Sequence, residues 1–211
     1  MIEFIHLTKK SSITHFRNIA RIHKKELSQG ALHLLGLPFL TRLYFEISGI
    51  PETSLWAAVY SGRTIGFISG TLNIKKSYRI LIFRSGLALL FLSLKEIIKP
   101  GVLKKIKDIM IYPFFKSKKD KNINMCSNTQ STTPELLSIA IDRKFHGQGI
   151  GRKLVENLEN DLLAMDFRGK YYVSTDKADI VSNNFYMKLG FKKCGVEKVH
   201  DLYFQKYYKE I

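Results

Sequence analysis

The spacing of apolar positions changes period repeatedly along the chain, and each change marks an element. Glu3 to Leu7 alternate enough for a short strand. Ile13, Phe16, Ile19, Ala20, Ile22 and Leu27 then form a helical stripe that Ser11 or Ser12 can cap and that stops near Gly30. A second helix is predicted from Pro38, which suits a first turn, through Leu40, Leu43, Tyr44 and Ile47 to a stop at Gly49, Ile50 and Pro51. Between Leu55 and Leu72 two strand-like runs flank Ser61, Gly62 and Arg63, the pattern of a β-hairpin. After a long irregular stretch, Leu136 to Ile141 is an almost unbroken apolar run of strand length, which suits a central strand covered on both faces. The helix that follows carries Ile150, Leu154, Leu158 and Leu162 on one face and ends near Met165. A strand over Lys170 to Thr175, a helix over Ile180 to Leu189 and a hairpin of Lys192 to Val199 and Leu202 to Tyr208 complete an α/β chain without repeats.

Residues 75–132 break this order. Tyr78 to Ile98 is strongly apolar, Pro100 and Gly101 interrupt it, and Lys104 to Tyr112 resumes a helical pattern before a Lys-, Asn-, Ser- and Thr-rich loop. The stretch reads as a helical, basic insertion within a single domain spanning 1–211, a length ample for one full core. Its charge-free run, Ser85 to Leu94, is shorter than the ~20 residues a membrane-spanning helix needs, so it is expected not to span. Lys95 to Lys121 holds nine lysines against three acids. Apolar helices beside such a cluster suit peripheral contact of residues 78–121 with an anionic membrane surface; a lid over the substrate or a subunit contact with a solvated basic edge suits them better.

Composition adds less. A net charge of +16 admits nucleic acid, anionic membrane or acidic ligands, but no nucleic-acid reading motif is present, and no nucleic-acid partner is expected. Cys126 and Cys194 lack the spacing of a metal site or a disulfide framework, so two free thiols and no bound metal are expected. The N-terminus reads as a first strand rather than a secretory leader. A cytoplasmic location follows, at the inner face of the membrane if the insertion touches it.

The chemistry concentrates at 135–151. Gly147, Gly149 and Gly151 alternate between a strand and a helix, where small residues let backbone N–H groups crowd around an anion at a helix N-terminus. The spacing fails GxGxxG, and no GxxxxGK[ST] is present, so another diphosphate cradle is implied.

Leu137 to Leu154, through His146-Gly147-Gln148-Gly149-Ile150-Gly151-Arg152, resembles motif A of the GNAT superfamily of N-acetyltransferases, and Asn184 to Phe191 (NFYMKLGF) resembles its motif B. The resemblance implies a GNAT fold: a mixed, mostly antiparallel sheet of six to seven strands flanked by helices, with a helical insertion before the central strand. It implies transfer of an acetyl group from acetyl-CoA to a primary amine by direct attack. The pyrophosphate would sit on the amides of Gln148, Gly149, Ile150, Gly151 and Arg152, and the pantetheine arm on main-chain groups of Ile139 and Ile141. Tyr186 matches the tyrosine that protonates the departing thiolate, though a core tyrosine would occupy the same helix position. Glu135 matches a glutamate that serves some members as general base, though it could equally be an exposed strand-end carboxylate.

Three positions depart from the family pattern. His146 stands where Gln or Arg is usual, as a first donor of the loop. Asp179 replaces the asparagine expected to contact pantetheine, and Ser182 replaces an alanine. Leu34 to Tyr44 also resembles GNAT proteins found with bacterial surface-polysaccharide genes, which points to an amino-sugar or nucleotide-sugar acceptor. A protein or peptide N-terminus is an alternative acceptor, and a non-catalytic acyl-CoA-binding or membrane-associated regulatory module is an alternative role.

Overall fold

The computed structural model describes residues 1–27, 32–98, 133–199 and 202–211. Seven strands form one sheet in the order β1-β2-β3-β4-β5-β7-β6, with β1 at Ile2–His6, β2 at Thr53–Tyr60, β3 at Arg63–Thr71, β4 at Glu135–Ile141, β5 at Lys170–Asp176, β6 at Lys192–Val199 and β7 at Leu202–Glu210. Every neighbouring pair is antiparallel except β4 with β5. This is the mixed, mostly antiparallel sheet expected from the resemblance.

Period-two alternation divides the core between the two faces of the sheet. Ala57 and Val59 of β2 join Phe67 and Ala140 beneath α1 (Ile13–Glu26) and α2 (Gly36–Ile47). Ala58, Ile65, Ile68, Leu136 and Val173 pack on the other face beneath α4 (Ile150–Ala164) and α5 (Ile180–Lys188). Ser12 caps α1 by accepting from the Thr14 N–H at 3.3 Å. The second helix begins two residues before Pro38, with Gly36 at φ +83°.

The insertion enters as α3, Ile74–Ile97, capped by Asn73, whose side chain accepts from the Lys76 N–H. This corrects the reading of a short apolar run. The helix continues through Arg84 and Lys95 to 24 residues, and by length and composition Ile74–Glu96 could cross a membrane, with a mean hydropathy of 1.4. One face nevertheless packs on α2 of the same domain, burying Leu89, Ser77, Ser85 and Ser93. The expected helix over Lys104 to Tyr112 and the polar loop after it lie outside the described residues.

A second correction concerns the cysteines: Cys194 is disulfide-bonded rather than a free thiol, and Cys126 lies outside the described residues. Spacing along the chain says nothing about which strands fold side by side, so it could not exclude a long-range bridge.

Candidate functional site

The site forms where β4 and β5 part. They share a single register pair, Glu135 with Tyr172, supported by the Tyr172 N–H donating to Pro134 C=O at 2.9 Å. Beyond Glu135 the two strands splay, and the edge of β4 facing β5 lies open. On its other side β4 pairs with β3 as far as Ile141, with Asp142 N–H donating to Ile65 C=O at 2.8 Å. Main-chain groups alternate sides along a strand, so the N–H and C=O of Ile141 and Ile139 point away from β3 into the splay. The two residues expected to pair with a pantetheine arm are therefore the two whose polar backbone faces the gap. A bulge adds curvature here: Ser69 pairs with Ser138 but Gly70 with Leu136, leaving Leu137 as the extra residue.

The glycine loop lies beyond the wide end of the gap. Gly147 and Gly149 take φ +78° and +75°, and Gly149 is the N-cap of α4. No side chain caps this helix, and its first internal bond runs from Lys153 N–H to Gly149 C=O. The amides of Gly149, Ile150, Gly151 and Arg152 precede that bond, at the positive end of the helix dipole. Gly151 has a different role. A Cβ there would come within 2.8 Å of the Phe185 ring, so its lack of a side chain lets α4 start against α5.

His146 and Asp179 are used differently from expectation. The His146 ring bonds the Ile141 carbonyl through Nε2 at 2.8 Å, fastening the loop to the end of its own strand and leaving only Nδ1 toward a ligand. Asp179 is the N-cap of α5: its carboxylate accepts from Ser182 N–H at 3.0 Å and from Ser182 Oγ at 2.6 Å. The two departures from the family pattern compensate each other, since the serine supplies the second donor that a capping carboxylate can use.

Tyr186, in the last turn of α5, is 5% exposed and ringed by Phe185, Phe191 and Tyr207 at centroid distances of 5.3–5.8 Å. It packs in the same cluster as Leu136, Ile139, Ile141 and Ile150. Burial first, then the charge of Asp179 and the neighbouring Tyr207, push its phenol well above the ordinary tyrosine range, so it holds its proton. No hydrogen bond among the described residues engages its hydroxyl.

Asn183 has no counterpart in the sequence reading. Its amide donates to the carbonyls of Asp176 and Asp179 at 2.9 and 2.6 Å, and its Oδ1 accepts from the Tyr207 hydroxyl at 2.6 Å. It locks the β5–α5 turn and fixes the ring stacked on Tyr186. Only its place one turn before Tyr186 could have drawn attention to it.

Glu135 sits half-buried at the point of the splay. Desolvation raises its carboxyl pKa, Lys206 opposes that, and Glu197 adds to it. Its charge in turn acts on Tyr78 of α3. A carboxylate whose proton affinity is raised by burial is better suited to accept a proton near neutrality than a solvated one. Glu135 therefore faces the α3 side, whereas Tyr186 belongs to the α4–α5 side.

On the α1–α2 face a buried chain of polar groups reaches β4. His23 Nδ1 and the Tyr44 hydroxyl are 2.6 Å apart, and Ser138 of β4 lies close enough to act on the Tyr44 phenol. Burial, with the nearby His33, lowers the His23 pKa to about 4, so its imidazole is neutral. Beside this chain a cleft of about 220 Å³ lies between α2, α3 and the edges of β3 and β4.

Among the described residues no group of three or more His, Cys, Asp or Glu is arranged to hold a metal ion.

Residues 110–191 match the model of the acetyltransferase (GNAT) family. A search of curated proteins found no match. Among solved structures, an N-acetyltransferase from Staphylococcus aureus Mu50 aligns with TM-score 0.59 and 14% identity, over 100% of this chain and 98% of its own. NAA60 of Arabidopsis thaliana in complex with acetyl-CoA gives 0.59 and 11%, over 100% and 99%. An aminoglycoside 6'-N-acetyltransferase complexed with coenzyme A gives 0.60 and 14%, over 99% and 96%. At these identities the structural likeness concerns the fold.

Proposed function

We propose that this chain, of which residues 110–191 match the acetyltransferase (GNAT) family model, transfers the acetyl group of acetyl-CoA to a primary amine. The observation that carries this reading is the open edge of β4 leading to the uncapped amides at the start of α4. An extended amide-bearing arm with a diphosphate at one end fits that pair of features. Ile139 and Ile141 would hold the arm, and Gln148, Gly149, Ile150, Gly151 and Arg152 the diphosphate.

The amine nitrogen attacks the thioester carbonyl carbon: a C–N bond forms, the C–S bond breaks, and the thiolate leaves. Glu135 takes the proton that the amine must lose, and Tyr186 supplies one to the thiolate sulfur. The burial that holds the Tyr186 proton acts equally on the thiolate, whose own proton affinity rises when it is desolvated, so the transfer stays feasible. His146 serves as a brace for the loop and Asp179 as the cap that sets α5, and hence Tyr186, in place.

Calorimetry with acetyl-CoA tests the reading. Micromolar affinity is expected, with near-complete loss in Gly149→Val. At φ +75° a β-branched residue strains the loop, although nothing lies within 4 Å of its Cβ. No heat and no thermal shift with acetyl-CoA would remove the proposal.

We also propose peripheral contact of α3 with an anionic membrane. Phe83, Leu87 and Phe91, spaced four apart, are 93%, 86% and 74% exposed, and Lys75, Arg79, Arg84 and Lys95 lie on the same helix. An apolar outer face with cations beside it suits a helix lying in the headgroup layer. The inner face of a cytoplasmic membrane is the location this proposal favours.

A further inference from the structure

We infer that the cleft between α2 and α3 takes an aliphatic chain carried by the amine acceptor, which makes the acceptor class amphiphilic amines. The inference rests on the acetyltransferase reading above and deepens it.

Leu43 and Ile47 of α2, Leu81 and Leu89 of α3 and Leu137 of β4 wall the cleft. Four of its polar side chains are committed to the protein itself. Thr53 donates to Ile50 C=O at 2.8 Å, Ser77 and Thr71 share a bond of 2.8 Å, Ser93 donates to Leu90 C=O at 2.8 Å, and the Tyr44 hydroxyl is engaged by His23. A sugar ring would find few partners here, and its hydroxyls would lose their water without replacement. Hydrocarbon loses nothing. At about 220 Å³ the cleft exceeds the roughly 150 Å³ of an apolar cavity that accepts benzene.

Ser69 of β3 lines the cleft, is 1% exposed, and its Oγ has no hydrogen-bond partner among the described residues. A hydrocarbon chain leaves that hydroxyl as it is, so no bond is lost when the cleft fills.

Position assigns the chain to the acceptor. The glycine loop and α4 belong to the opposite face of the sheet, so the donor enters from there, whereas the cleft lies on the α1–α3 face. Leu137 and Ser138 line it two and three residues after Glu135, and Tyr78, which feels the Glu135 charge, lines it as well. A chain seated in the cleft leaves its amine end near the candidate base.

The test uses n-alkylamines from ethylamine to octylamine with acetyl-CoA, read as thiol release. kcat/KM should rise about fourfold per methylene until the cleft is filled and then level. Gly86 lines the cleft from α3, and a Cβ there meets only Ile82, at 3.5 Å, so Gly86→Leu fills the space without disturbing the helix. That variant should keep acetyl-CoA binding while losing the dependence on length. Octylamine binding by calorimetry, present in the native chain and lost in Gly86→Leu, gives a readout independent of turnover. No octylamine binding, or a flat alkylamine series, overturns the inference even when acetyl-CoA binds. A length dependence that appears only when hexanoyl-CoA replaces acetyl-CoA overturns the acceptor assignment and gives the cleft to the acyl chain. Loss of acetyl-CoA binding itself identifies a failure of the acetyltransferase reading.

Discussion

Tyr186 shows how one side chain can be both a core residue and a reagent. Its ring fills space against Phe191 and Tyr207, while its hydroxyl has no hydrogen-bond partner among the described residues. Tyr186→Phe should therefore fold normally and bind acetyl-CoA with unchanged affinity, while kcat falls by about 100-fold, the lower range for losing a general acid. Steady-state kinetics against a measured acetyl-CoA Kd checks this, and unchanged kcat would reduce the residue to packing. The sequence pointed to Tyr186 because a short motif surrounds it; periodicity alone would have placed it in the core. The role of Asp179 was not legible, since a carboxylate can contact a ligand or cap a helix, and the cap shows only in the Ser182 hydroxyl at 2.6 Å.

At the scale of elements, the bond between His23 and Tyr44 ties α1 to α2. With its pKa lowered to about 4 in the fold and near 6.5 when unfolded, His23 takes up its proton more readily in the unfolded chain. Stability should therefore fall as pH drops from about 6.5 toward 4, by up to about 3 kcal/mol from this residue. Urea denaturation at pH 7 and pH 4.5 measures the loss, and His23→Gln should show a shallower decline. Equal slopes would mean that other groups carry the acid sensitivity. Most elements were legible from period and punctuation: the first hairpin turns at Ser61 and Gly62 as read, and the run Leu136 to Ile141 is the central strand. The length of α3 was not legible. Arg84 and Lys95 look like boundaries in a hydropathy reading, yet long cationic side chains on an exposed helix reach water without ending it. The splay and the cleft could not be read either, because both arise from elements distant in sequence.

For the whole molecule, the question is how a charge of +16 is used. If α3 rests on an anionic bilayer, cosedimentation with vesicles containing phosphatidylserine should be strong at low salt and fall steeply toward 0.5 M salt. Neutral vesicles should bind weakly, and Phe83→Asp with Phe91→Asp should abolish binding while sparing acetyl-CoA affinity. Equal binding to neutral and anionic vesicles would remove the electrostatic part, and self-association without vesicle binding would assign the face to a second copy. The glycine loop was legible because it is contiguous, whereas the acceptor side was not, since it draws on α2, α3, β3 and β4 together.

The gap between β4 and β5 has a consequence for how such a sequence can change. A rim strand is ordinarily a hazard, because it invites any passing polypeptide to add to it, but this open border lies inside the sheet, with further strands on either side. Whatever docks along it is held by amide groups that every residue type possesses. Ile139 and Ile141 can be exchanged for other strand formers without erasing those contacts. Donor recognition written in the main chain leaves few fixed letters, which is compatible with structures sharing only 11–15% of residues yet retaining one architecture. The side chains around the cleft are under no such indifference, and on the proposal above they would select the acceptor.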